Sequence, residues 1–175
     1  MNVVEIRQPE AAPARQPIHV KSISELHQPI VLAGLAYWEE NVSEGLPSIR
    51  LIDPVRLRTL LSHIVLIDVI WPEGDEAGET APSDFQYRLI GQESAEVHDI
   101  NLTGKRVSEQ SRFGPRYSEV MMDFYKFICV KKKPVASGGT LDIIGKDFRE
   151  FEGLYMPFTR YGGRVDRIMA VVAYF

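Results

Sequence analysis

The stretches FREFEGLYMPFT, residues 148–159, and RVDRIMAVVAYF, residues 164–175, decide the fold. In the first, Leu154, Met156 and Phe158 alternate with Tyr155 and Pro157; in the second, Ile168 to Ala173 has no polar member. Alternation at period two marks a strand, and apolar residues at both phases make that strand apolar on both faces. Tyr161, Gly162 and Gly163 join the two as a hairpin turn, with glycine supplying positive φ. A third strand is predicted over Val135 to Ile144. A sheet that is apolar front and back needs a layer on each face. Helices of the core cover one face; the other falls to the N-terminal helices, to a second subunit, or to both.

Upstream of these strands lies the longest predicted helix, Pro115 to Lys133. Tyr117, Met121, Phe124 and Ile128 line one face, with Val120, Tyr125 and Phe127 widening it. Lys131, Lys132 and Lys133 suit the negative end of the helix dipole, and Pro134 forbids continuation. Before it, short helices are predicted over Gln92 to His98 and Leu102 to Glu109. Before those, IVLIDVIW (Ile64 to Trp71) and FQYRLI (Phe85 to Ile90) read as two strands of a hairpin with a long tip.

The N-terminal third is an extension. Residues 1–20 carry Pro, Ala, Arg and Gln with little apolar surface and read as a mobile leader. Within residues 21–63, a first helix starts at Pro29, carries Val31, Leu35, Trp38 and Val42 on one stripe and stops at Gly45. Asp53 and Pro54 then cap a second helix bearing Leu57, Leu60, Leu61 and Ile64. Residues 64–175 form the main domain.

Composition narrows the function classes. Of 175 residues, 45% are hydrophobic and 25% charged, with 20 Lys plus Arg against 24 Asp plus Glu, for a net charge of −4. Such a chain folds without disulfides or a structural metal. Its mild acidity argues against a nucleic-acid or anionic-membrane binder. No stretch approaches the ~18 uncharged apolar residues of a membrane span, and MNVVEIRQPEAAPARQP lacks a secretory apolar core. The lone Cys129 fits a reducing compartment, so a cytoplasmic location is expected.

Tyr37-Trp38-Glu39, Ile52-Asp53-Pro54 leading into Leu60-Leu61, Asp68 inside the first strand of the hairpin, Tyr87-Arg88-Leu89-Ile90-Gly91, Asp99-Ile100-Asn101-Leu102-Thr103-Gly104 and Gly162-Gly163-Arg164-Val165-Asp166 lie along the chain as spaced motifs. Together with the element order, they resemble a family of small stand-alone bacterial PAS-like proteins over roughly residues 30–175. The resemblance implies an α+β PAS fold, a five-stranded antiparallel sheet with short helices and one long connecting helix. It also implies a sensory or regulatory role in signal transduction without an attached kinase or cyclase, and pairing through an N-terminal helix and the outer sheet face.

Cofactor chemistry is weighed residue by residue. The long helix has no His to serve as a haem axial ligand; of His19, His27, His63 and His98, His98 alone falls near the expected pocket, as a ligand or in a surface or capping role. No Cys stands between Asn101 and Ser108, where light-sensing flavin domains carry their reactive thiol, and Cys129 reads as a small buried thiol. Haem and a covalent flavin are therefore disfavoured. Gly139 to Lys146 approximates a phosphate loop but has five residues between its glycines, with Asp147 where Ser or Thr should hold magnesium. No enzyme signature stands out.

Two sites remain. Tyr87, Arg106, Phe113, Tyr117, Met121, Tyr125 and Tyr155 are candidates to line a ligand cavity between the long helix and the sheet, or simply to pack as core. Val31, Leu35, Tyr37 and Trp38 are candidates for an interface, or for packing back onto their own sheet. The expectation is a non-enzymatic cytoplasmic regulator, homodimeric and acting through contacts with signalling proteins; the alternative is a small-molecule sensor.

Overall fold

A computed structural model describes residues 18–175. It is an α+β fold with a six-stranded antiparallel sheet. In chain order the elements are β1 (His19–Lys21), α1 (Pro29–Asn41), β2 (Ile64–Ile70), β3 (Asp84–Ile90), α2 (Gln92–Val97), α3 (Pro115–Lys131), β4 (Val135–Leu141), β5 (Lys146–Phe158) and β6 (Arg167–Tyr174). Across the sheet the strands run β1-β4-β5-β6-β2-β3.

The expected five strands are thus six. The added one, β1, comes from the end of the stretch read as a mobile leader: His19, Val20 and Lys21 pair with Gly138, Ser137 and Ala136 of β4. Residues 1–17 of that leader lie outside the described residues. Three residues of mixed polarity carry no period, so only the waiting edge of β4 makes them a strand.

The two-faced apolarity of β5 and β6 is borne out, and each face has its own core. On the inner face Val65, Ile67, Phe85, Tyr87, Tyr155, Ile168 and Ala170 pack against α3 through Tyr117, Met121, Phe124, Tyr125 and Ile128. On the outer face Leu154, Met156, Phe158, Met169 and Val171 are buried beneath α1 and the segment that follows it. Each such side chain contributes on the order of 1.5–3 kcal/mol when covered. The cover comes from the same chain, so the apolar outer face by itself no longer calls for a second copy. Helix α1 comes close because Gly34 faces β6, where a Cβ would stand 2.9 Å from a methyl of Val171. Pro157 falls where β5 has outrun its last β4 partner, Tyr155, so its missing N–H breaks no β4 bond.

The second predicted helix does not form. Residues 54–60 make turns, and Leu61–His63 is a single 3₁₀ turn. Leu57 and Leu60, three apart, are buried while Leu61 is exposed, as expected where side chains eclipse at i and i+3. Leu102 to Glu109 likewise yields only a 3₁₀ turn at Val107–Glu109. There Asn101 Oδ1 accepts the Thr103 N–H, and Gly104, at φ 82°, turns the chain back to β3.

The spaced motifs hold corners. Asp68 Oδ2 lies 2.7 Å from Arg88 Nε and Oδ1 lies 2.6 Å from Arg167 Nε, joining three adjacent strands. Asp166 accepts from the Arg160 N–H at 2.7 Å and from Arg164 Nε at 3.0 Å, closing the β5–β6 turn. Gly91 is wedged among backbone carbonyls, where a Cβ would stand 2.5 Å from Ser62 O, 2.7 Å from Leu61 O and 2.8 Å from Ile64 O.

Candidate functional site

Between α3 and the inner sheet face lies a cavity of about 70 Å³. Helix α3 presents Tyr117, Met121 and Tyr125 to it, one residue per turn along a single stripe. The sheet answers with Val65 from β2, Tyr87 from β3, Tyr155 from β5 and the same-phase trio Ala170, Val172 and Tyr174 from β6. Ser94 of α2, His98 just after it, and Ile18, Leu141, Ile143 and Ile144 complete the lining.

Several polar groups in the wall are paired. The Tyr87 and Tyr117 hydroxyls are 2.8 Å apart. Ser94 Oγ and the Tyr174 hydroxyl are 2.7 Å apart. His98 Nδ1 donates to the Ser94 carbonyl at 2.8 Å, which places the proton of the neutral ring on Nδ1. Tyr155 folds across Gly153, where a Cβ would come within 2.8 Å of its ring. Gly153 pairs with Ser137, whose wholly buried hydroxyl has no hydrogen-bond partner.

Burial holds every titratable group in this wall neutral. It raises Tyr87, Tyr117, Tyr125 and Tyr155 well above the usual phenol range and Tyr174 to about 12. It lowers His98, against the opposing effect of the Ser94 carbonyl. No charged side chain lines the cavity among the described residues. The wall therefore offers neutral donors and acceptors in an apolar setting, and no phenolate to act as base or nucleophile.

Of the seven predicted cavity residues, Tyr87, Tyr117, Met121, Tyr125 and Tyr155 line it. Phe113 stands behind the wall, 4.8 Å from Tyr117 and 5.6 Å from His98 between ring centroids. Arg106 is a correction. The backbone beside it pairs with the β3 edge, Tyr87 N–H donating to Lys105 O, and its half-exposed guanidinium lies 3.7 Å from Asp84 on the outside. Inside, that charge would have met no carboxylate to offset its desolvation. Ser94 and Tyr174 were missed; Tyr174 was legible from its phase with Ala170 and Val172.

The four candidate interface residues lie on the outer face of their own sheet. Val31 is buried there, and Leu35, Tyr37 and Trp38 are partly buried around it. Trp38 meets Phe158 edge-on at 5.4 Å, the Tyr37 hydroxyl donates to the Leu51 carbonyl, and Arg56 stacks on the Tyr37 ring. Cys129 is buried and its thiol is pushed up to about 12 by that burial, so it is inert. Among the described residues no cluster of His, Cys, Asp and Glu could hold a metal ion, and no helix is long and apolar enough to cross a membrane.

Compared with protein families, with curated proteins and with solved structures, the chain matches none.

Proposed function

We propose that this chain is a non-enzymatic regulatory domain of the PAS type that responds to a small uncharged molecule held between α3 and the sheet. Support for the PAS type is the element order: setting β1 aside, five strands remain, a β2–β3 hairpin and a β4-β5-β6 meander joined through β2 and β6, with one long helix between. The observation that carries the ligand reading is the cavity, lined throughout by apolar and neutral hydrogen-bonding groups.

Volume and charge define the ligand class. Drug-sized ligands need ~300–1,000 Å³, and a dry cavity of ~150 Å³ takes benzene. A cavity of about 70 Å³ suits a molecule of a few heavy atoms. An anion or cation would enter without a counter-charge, at a cost of several kcal/mol. Neutral molecules with one polar group meet both constraints.

Occupancy would reach partners through the sheet, whose β5 and β6 carry cavity residues on one face and α1 contacts on the other. Leu32 and Ala36 face outward on α1 and would be the surface met by a signalling protein or a second copy.

Methyl-resolved NMR tests this reading with acetone, propanol and acetamide against the charged acetate and methylammonium. The neutral probes should shift Val65, Ile144 and Met121 saturably, with a further shift at Val31 on α1. If no neutral probe shifts the cavity methyls, or the charged ones do so equally, the ligand reading fails.

A further inference from the structure

We propose that residues 18–28 form a strap that gates the cavity and is held shut by Glu152; this rests on the cavity being the ligand site. Ile18 forms part of the cavity wall beside Ile143 and Ile144. The next three residues are β1, which among the described residues holds the sheet edge through pairing with Ala136, Ser137 and Gly138 alone. Val20 is 53% exposed, so β1 buries little apolar surface of its own. Short edge elements with few buried contacts are the first to open.

A carboxylate holds the strap down. Glu152 lies on the outer face of β5, 1% exposed, and accepts from Lys21 Nζ at 2.8 Å, the His27 N–H at 3.0 Å and the Gln28 N–H at 2.8 Å, with His27 Nδ1 2.7 Å away. All four groups belong to the strap. Shut, the strap pairs the charge; open, it leaves Glu152 to water, since an open groove runs beside it along His19, Thr140 and Phe175. Both states satisfy the carboxylate, which is the condition for a two-state element. One residue beyond the strap, Pro29 starts α1. Lifting Ile18 from the wall therefore pulls on the helix that covers the outer face, and the entrance and the output are one segment.

Xenon is the probe, followed in the full chain by ¹²⁹Xe exchange and by methyl shifts at Ile144 and Met121. Val20 and Ser137 are paired residues, so the double variant Val20→Cys with Ser137→Cys places two thiols within disulfide reach and locks the strap when oxidised. Locking should slow xenon exchange about tenfold or more and reduction should restore it, while Glu152→Gln and Lys21→Met should speed it by a similar factor. Exchange unchanged by locking and by unlatching, with xenon still bound, overturns the strap and leaves the cavity reading intact. Xenon absent from the wild type, the reduced double variant and both unlatched variants overturns both. The oxidised and reduced forms of one protein are compared directly, so the test survives a failure of Glu152→Gln to fold.

Discussion

Replacing Ala170 by Val asks whether the cavity is kept open at a cost. Ala170 is fully buried, pairs with Val65 and Tyr155, and lines the void. At ~24 cal/mol per Å³ of empty volume, a 70 Å³ void withholds at most about 1.7 kcal/mol of stability. Two added methyl groups fill part of it, and a β-branched residue suits a strand, so Ala170→Val should gain roughly 1 kcal/mol. In a chain of this length that raises the melting temperature by about 2–4 °C. The control is Ala136→Val on the tightly packed outer face, where overpacking should cost about 1–3 kcal/mol. Urea unfolding reads both, and ¹²⁹Xe NMR should show weakened xenon uptake in Ala170→Val alone. Loss of more than ~1 kcal/mol with undiminished xenon uptake would show that Ala170 borders no usable space, and the ligand reading would lose its basis.

Gly91 has an ordinary backbone conformation, φ −65°, at which Ala would usually stabilise by ~0.4–1 kcal/mol. The three carbonyls crowding it reverse the sign: Gly91→Ala should lose about 3 kcal/mol in urea unfolding, and a neutral result would refute that packing. The latch should be acid-labile. Burial would raise the Glu152 carboxyl, but the Lys21, Gln28 and His27 hydrogen bonds hold it below the usual range. A lowered folded-state value means that its stabilisation is full above about 4.3, the ordinary Glu value, and fades as pH falls through the lower folded-state value. Amide exchange at Val20 and Lys21 should accelerate in that window in the wild type, and Glu152→Gln should show no such step; equal pH dependence in both would exclude Glu152 as the latch.

Local pattern carried most of the architecture. The alternation of Leu154 to Phe158 and the unbroken run from Ile168 to Ala173 specify strands that need cover on both faces, and Tyr117, Met121 and Tyr125 at intervals of four specify the helix stripe that meets one of them. Burial preference is a property of each residue and its near neighbours, so it can be read along the chain. Tertiary structure alone decided the rest. β1 exists because β4 offers an edge; Arg106 turns outward because its backbone is claimed by β3; Gly91 is required because three carbonyls from another segment surround it. The Lys21–Glu152 pair spans 131 residues of sequence. No period or propensity relates residues so far apart, and their meeting is fixed only by the pairing of strands between them.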